Sequence, residues 1–185
     1  VDFEAFAKVV ESRRSVRGFD THVQIPDEVV NRCLDLAMLA PNSSNVQMWR
    51  FHWIKGEELR HEVVKACMSQ PAAKTAPTLI VATAWTNAFA ENAVKLAEEL
   101  RRQGASAGAI HYHEKMIPEM YATGLLGLKA IMKWFKINWK GRKKPVARGP
   151  YGKADVKLAA HKSVALACQN LMLALRAAGY DSCPM

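Results

Sequence analysis

With 185 residues, half of them hydrophobic, the chain is long enough for one domain with a real core and too apolar to be disordered. Its net charge of +9 is concentrated: residues 121–154 hold Lys129, Lys133, Lys136, Lys140, Arg142, Lys143, Lys144, Arg148 and Lys153 and no acid, which excludes a uniformly basic nucleic-acid binder. No apolar stretch reaches the roughly 18 residues of a membrane span, and the opening VDFEAFAKVVESRRS lacks the unbroken apolar centre of a signal peptide.

Residues 2–13 set Phe3, Phe6, Ala7 and Val10 at helical spacing. A second helix is predicted in IPDEVVNRCLDLAMLAP, where Pro26, Asp27 and Glu28 suit a first turn and Pro41 follows the end. RFHWI, residues 50–54, alternates like a strand, and GEELRHEVVKACM reads as an amphipathic helix. APTLIVATAW is short, apolar and β-branched, which predicts a buried strand. A further helix is predicted over residues 88–104. The Gly-rich region 105–154 is the least regular, although KAIMKWFKINWK within it suits a helix. Residues 154–179 form the best candidate for a central helix, with Gly179 as its natural C-cap. Helices dominate and no regular β-α alternation appears, so the expected class is α+β, in a single domain over 1–185.

Several familiar motifs are absent. There is no phosphate-binding G-x-x-x-x-G-K-[ST] loop, no G-x-G-x-x-G after a strand and no G-x-S-x-G. In HYHEK, His111 and His113 diverge on a helix and share a face on a strand; no further ligands accompany them, and no metal site is expected. Cys33, Cys67, Cys168 and Cys183 form no C-x-x-C pair. They read as free thiols of a reducing compartment, so a cytoplasmic location is expected.

Two polar clusters remain. RRSVRGF supplies Arg13, Arg14, Ser15 and Arg17, whose guanidinium forks and hydroxyl suit a phosphate; alternatively they are a solvated basic helix end. APNSSNVQMWRF supplies Pro41, Asn42, Ser43, Ser44, Asn45 and Gln47. These side chains suit a neutral, flat, hydrogen-bonding ligand, or serve simply as helix-stop and turn chemistry. Together the clusters describe a ligand with an anionic end and a polar heteroaromatic end.

In the order and spacing of these two segments, the apolar strand after KTAP and the helix running into GYDSCPM, the chain resembles the FMN-dependent nitroreductase family. The resemblance is weakest over 105–150, the family's variable, lid-like region. It implies an α+β fold with a mixed central sheet wrapped by helices, in an intertwined homodimer with FMN at the subunit interface. It further implies that Arg13, Arg14, Ser15 and Arg17 hold the phosphate and ribityl end. Pro41, Asn42, Ser43, Ser44, Asn45 and Gln47 would reach the flavin of the partner subunit. Gln70 is a further polar contact, and Pro184 and Met185 begin the segment that crosses the flavin's reactive edge. Met48 stands where the family commonly has Pro, a change expected to alter loop rigidity. Val1 in place of an initiator Met, and the stop at Met185, lead to the expectation of a longer natural chain.

The implied reaction is ping-pong. NADH or NADPH would deliver a hydride to the flavin, leave, and be replaced by a nitroaromatic, quinone or similar flat acceptor. No catalytic acid–base side chain is required. The alternatives are another flavin reaction, such as reductive dehalogenation or flavin fragmentation, and a non-catalytic basic module that binds a membrane surface or nucleic acid. The helix around 129–140 carries separate alternatives. Trp134, Phe135 and Trp139 would wall an acceptor pocket while the lysine stripe is solvated, or the helix would contact a membrane surface. Nucleic acid is not an expected partner.

Overall fold

Asp2 starts the first helix, its carboxylate accepting the Ala5 amide at 3.2 Å, and α1 runs Phe3–Ser12. The computed structural model describes residues 2–122, 124, 127–146 and 149–185; Val1 and Arg148 lie outside the described residues. The chain continues through α2 (Asp27–Met38), β1 (Trp49–Ile54), α3 (Glu57–Ala66), α4 (Pro71–Thr75) and β2 (Leu79–Ala84). It ends with α5 (Ala88–Arg102), α6 (Ala107–His111), a π turn (Tyr112–Met116), α7 (Ile117–Tyr121), α8 (Leu128–Gly141) and α9 (Lys153–Ala177). The periodic helices and both strands lie where the sequence predicts them. The five-residue helices α4, α6 and α7 escape prediction because so short a segment carries barely one period.

β1 and β2 form a two-stranded sheet. They run antiparallel: the Trp85 amide donates to Met48 O at 3.1 Å, and Thr83 Oγ1 donates to Arg50 O at 3.4 Å. The mixed sheet implied by the resemblance is therefore represented, among the described residues, by this pair and one isolated parallel bridge, Ser15 to Ser182.

The chain gathers into two compact units, each discontinuous in sequence. The first comprises residues 1–40, 50–83 and 165–185. One of its cores packs Cys33, Ala37, Leu171 and Leu175 with Phe51 and Ile80; another packs Ile54, Ala76 and Leu79 with Phe19 and Val63. The second comprises residues 41–49 and 84–164, around Val46, Met48, Ala88, Ala93, Ile117, Tyr121, Val156 and Ala160.

Along α9, Val156, Ala160 and Ser163 are buried in the second unit, and Ala167, Leu171 and Leu175 in the first, at helical spacings of three and four. Ser163 satisfies its hydroxyl on Ala159 O at 3.0 Å. By length and composition α9 is also apolar enough to cross a membrane. Lys157, His161 and Lys162 break its apolar run in the sequence and hide that property. Gly179, at φ 88°, closes the helix as predicted, with the Tyr180 amide returning to Leu175 O at 2.9 Å.

The orientation of α8 differs from expectation. Lys133, one of the stripe expected in solvent, turns inward, and its ammonium donates to Met120 O at 2.9 Å and Ala122 O at 2.5 Å. Burial pushes its pKa down, nearby Lys129 adds to this, and Glu119 opposes it. Trp134, Phe135 and Trp139 are exposed. The open carbonyls at the C-terminal end of α7 select the face that carries a strong donor.

Candidate functional site

In the first unit, three segments expected at the flavin are tied together. α1 ends at Ser12, and Arg13 takes an extended conformation as its C-cap. The following residues pair with the segment after α9: Ser15 bridges Ser182, and the Val16 amide donates to Ser182 O at 3.2 Å. Arg176 reinforces the junction, donating from Nε to Ser12 Oγ at 2.9 Å and pairing with Asp181 at 2.9 Å. The Phe19 amide donates to Thr75 Oγ1 at 3.0 Å, which ties the arginine segment to α4. Gln70 is the N-cap residue of α4 and follows the left-handed pair Met68 and Ser69.

The four phosphate candidates are not equivalent. Arg14 folds back on its own helix end, donating to Glu11 O at 2.5 Å and Arg13 O at 2.8 Å. There a cation complements the helix dipole, the local role that was the alternative reading. Arg13 is half-buried and Arg17 exposed, and neither makes an ion pair among the described residues. The Ser182 hydroxyl is buried without a hydrogen-bond partner among them. Pro184 and Met185 are exposed just beyond it.

In the second unit, the loop 41–47 is a strained turn. Ser44, Asn45 and Gln47 have φ of 55°, 51° and 45°, in the left-handed region. Each such residue costs about 1–3 kcal/mol and persists only where its surroundings impose it. Here they do. Asn42 Oδ1 accepts the Gln47 amide at 2.8 Å. Asn45 Oδ1 accepts from Asn42 Nδ2 at 3.4 Å and from Gln47 Nε2 at 3.3 Å. Ser44 and Tyr112 share a hydroxyl–hydroxyl bond of 2.9 Å. Asn92, on α5, donates to Val46 O at 2.9 Å and Gln47 O at 3.3 Å. Val46 and Met48 anchor the turn in the core, while Pro41, Ser43 and Asn45 stay exposed. Much of the loop's polarity is thus spent on its own shape.

Sequence reasoning missed Asn92 and Tyr112. The one available signal was Asn92 itself, an amide on the otherwise alanine-lined side of α5 that buries Ala88, Ala93 and Ala97. Asn92→Ala is expected to lower the stability of this unit by about 1–3 kcal/mol, because it removes both bonds to the part-buried Val46 and Gln47 carbonyls. Chemical denaturation checks this; an unchanged midpoint would show the two bonds to be idle.

The His pair diverges. His111 ends α6, and His113 lies in the π turn, edge-on to Tyr112 at 5.0 Å. Burial pushes the His113 pKa down, and its Nδ1 is buried without a partner among the described residues. Glu114 pairs with Arg101 at 2.7 Å. No metal-binding group of three or more ligands occurs among the described residues. The four cysteines are free, and burial pushes the Cys33 and Cys168 thiols up, away from the reactive thiolate.

The fold is shared with known proteins. A nitroreductase candidate of Exiguobacterium sibiricum, crystallised in complex with FMN, superposes with a TM-score of 0.69 at 25% identity, over 97% of this chain and 73% of that one. This defines a nitroreductase-like α+β fold. The sequence model of the nitroreductase family matches residues 10–185, and the chain belongs to that family. Protein DrgA of Synechocystis sp. is 29% identical over 176 residues, 95% of this chain and 68% of its own. YodC, a candidate NAD(P)H nitroreductase of Bacillus subtilis, is 27% identical over 175 residues, 95% of this chain and 72% of its own.

Proposed function

We propose that the protein is an FMN-dependent NAD(P)H oxidoreductase that reduces nitroaromatic, quinone or similar flat acceptors by ping-pong hydride transfer. The observation that carries this reading is the Ser15–Ser182 bridge, which joins the arginine segment to the segment after α9. The FMN bound by the E. sibiricum protein and the NAD(P)H in the name of YodC support it.

The residues present fit such a cofactor. Arg13 and Arg17 offer cationic forks to a phosphate, Ser15 offers a hydroxyl, and the orphaned Ser182 hydroxyl lies at the same bridge. When bound, FMN supplies the two-electron chemistry, accepting a hydride from NAD(P)H and passing it to the acceptor. The protein's part is to bind and orient. The positive charge of Arg13 and Arg17 favours an anionic ligand, Gln70 offers an amide, and the rigid turn presents Ser43 and Asn45 outward. No side chain needs to carry a proton as general acid or base.

We further propose a homodimer in which the loop 41–47 serves the partner's flavin. Phe3, Phe6 and Val10 lie exposed on one side of α1, and Leu158 and Leu166 are exposed on α9. Such apolar faces suit burial against a second copy.

Steady-state kinetics with NAD(P)H and a quinone, on protein whose released chromophore is FMN, provide the test. Reciprocal plots at several acceptor concentrations are expected to be parallel. Intersecting lines would overturn the ping-pong mechanism, and protein that neither contains nor takes up FMN would overturn the whole reading.

A further inference from the structure

Among the described residues, α8 is a 14-residue helix with one face packed. Lys133, pinned to Met120 O and Ala122 O, fixes its rotation. Ala130 and Ile137 are half-buried on the same side. The opposite side carries Leu128, Ile131, Met132, Phe135 and Trp139 at spacings of three and four, and the last three are 69%, 62% and 71% exposed. Along one flank of this apolar stripe run Lys129, Lys136 and Lys140, all exposed, and Arg142, Lys143 and Lys144 follow beyond the helix end. No acidic residue occurs between Glu119 and Asp155.

We infer that α8 docks on an anionic lipid surface, its apolar stripe entering the acyl boundary while the flanking cations meet lipid headgroups. The arrangement is that of an interfacial helix: an apolar stripe outward, with the large rings of Phe135 and Trp139 in it and cations beside them. Charge decides the occupant. A two-fold contact with a second copy through α8 would set two acid-free cation clusters against each other, which repels. An anionic bilayer neutralises the same six cations. A nucleic acid would use the lysines and leave the outward Phe135, Met132 and Trp139 in water.

Co-sedimentation of the full chain with phosphatidylcholine vesicles, with and without phosphatidylserine, tests the assignment. Binding is expected only with phosphatidylserine, and is expected to weaken as salt shortens the screening length. Lys136→Glu with Lys140→Glu should weaken it by at least about tenfold. Lys136→Arg with Lys140→Arg should preserve it, and Phe135→Ala with Trp139→Ala should lower it while the circular dichroism spectrum stays unchanged. Absent binding by the wild type, or equal binding by all variants, overturns the assignment. So does retention on a DNA duplex without vesicle binding, which selects nucleic acid. A dimer that dissociates on the aromatic substitutions, again without vesicle binding, selects a second copy.

Discussion

Met48→Ala is expected to lower the stability of the second unit by about 2–5 kcal/mol, a lower denaturation midpoint being the readout. Met48 is fully buried and is among the largest such side chains in the protein. Truncation removes its packing in the core that also holds Val46, Ile117 and Tyr121 and leaves a cavity that the surrounding helices fill only in part. The Met48 carbonyl also accepts the Trp85 amide, so the backbone cannot simply follow the shortened side chain inward. Met48→Leu keeps the volume and should cost less than about 1.5 kcal/mol. Both variants should be measured without flavin, because a ligand bound to the folded state would mask part of the loss. A midpoint for Met48→Ala equal to that of the wild type would mean that the residue is not the anchor described here. Besides any effect on loop rigidity, Met48 holds the core on which the strained turn is mounted.

Arg13→Ala is expected to weaken FMN retention by about 1.5–3 kcal/mol, or one to two orders of magnitude in dissociation constant. Arg13 leaves α1 in an extended conformation, is half-buried, and makes no ion pair among the described residues, so a phosphate would meet an uncommitted guanidinium. Arg14→Ala provides the contrast. Its guanidinium is committed to Glu11 O and Arg13 O, and its loss should cost helix-end stability with little effect on FMN. Arg13→Lys keeps the charge without the planar fork and should fall between wild type and alanine. Fluorescence titration of the apoprotein with FMN reads all three. Unchanged affinity in Arg13→Ala, or a loss confined to Arg14→Ala, would move the phosphate to other residues.

The two segments that first suggested a ligand were legible because their chemistry is local. Arg13, Arg14, Ser15 and Arg17 stand within five residues, and Asn42 to Gln47 form a run of polar groups between a helix stop and a strand. Helix and strand positions were legible for a similar reason: α1, α2, α5 and α9 are long enough to show their period, and β2 is a β-branched run. The supports of the turn were not legible. Asn92 and Tyr112 lie 45 and 68 residues from their partners Gln47 and Ser44, and no local pattern records such a pairing.

From the sequence alone came the α+β class, the periodic elements, the polar and cationic clusters and the resemblance to a family. All of these depend on residue type and on spacing along a few turns. Only the tertiary structure decided which of several adequate donors does what. Arg14 caps its helix because free carbonyls lie within its reach, and Arg13 does not. Lys133 points inward because two carbonyls at the C-terminal end of α7 accept its ammonium, and that contact sends Phe135 and Trp139 outward. A helix shows from its sequence that it has two chemically different faces. Which face is buried depends on hydrogen-bond partners brought in by distant chain, and burial of a cation follows those partners more strictly than it follows hydrophobicity.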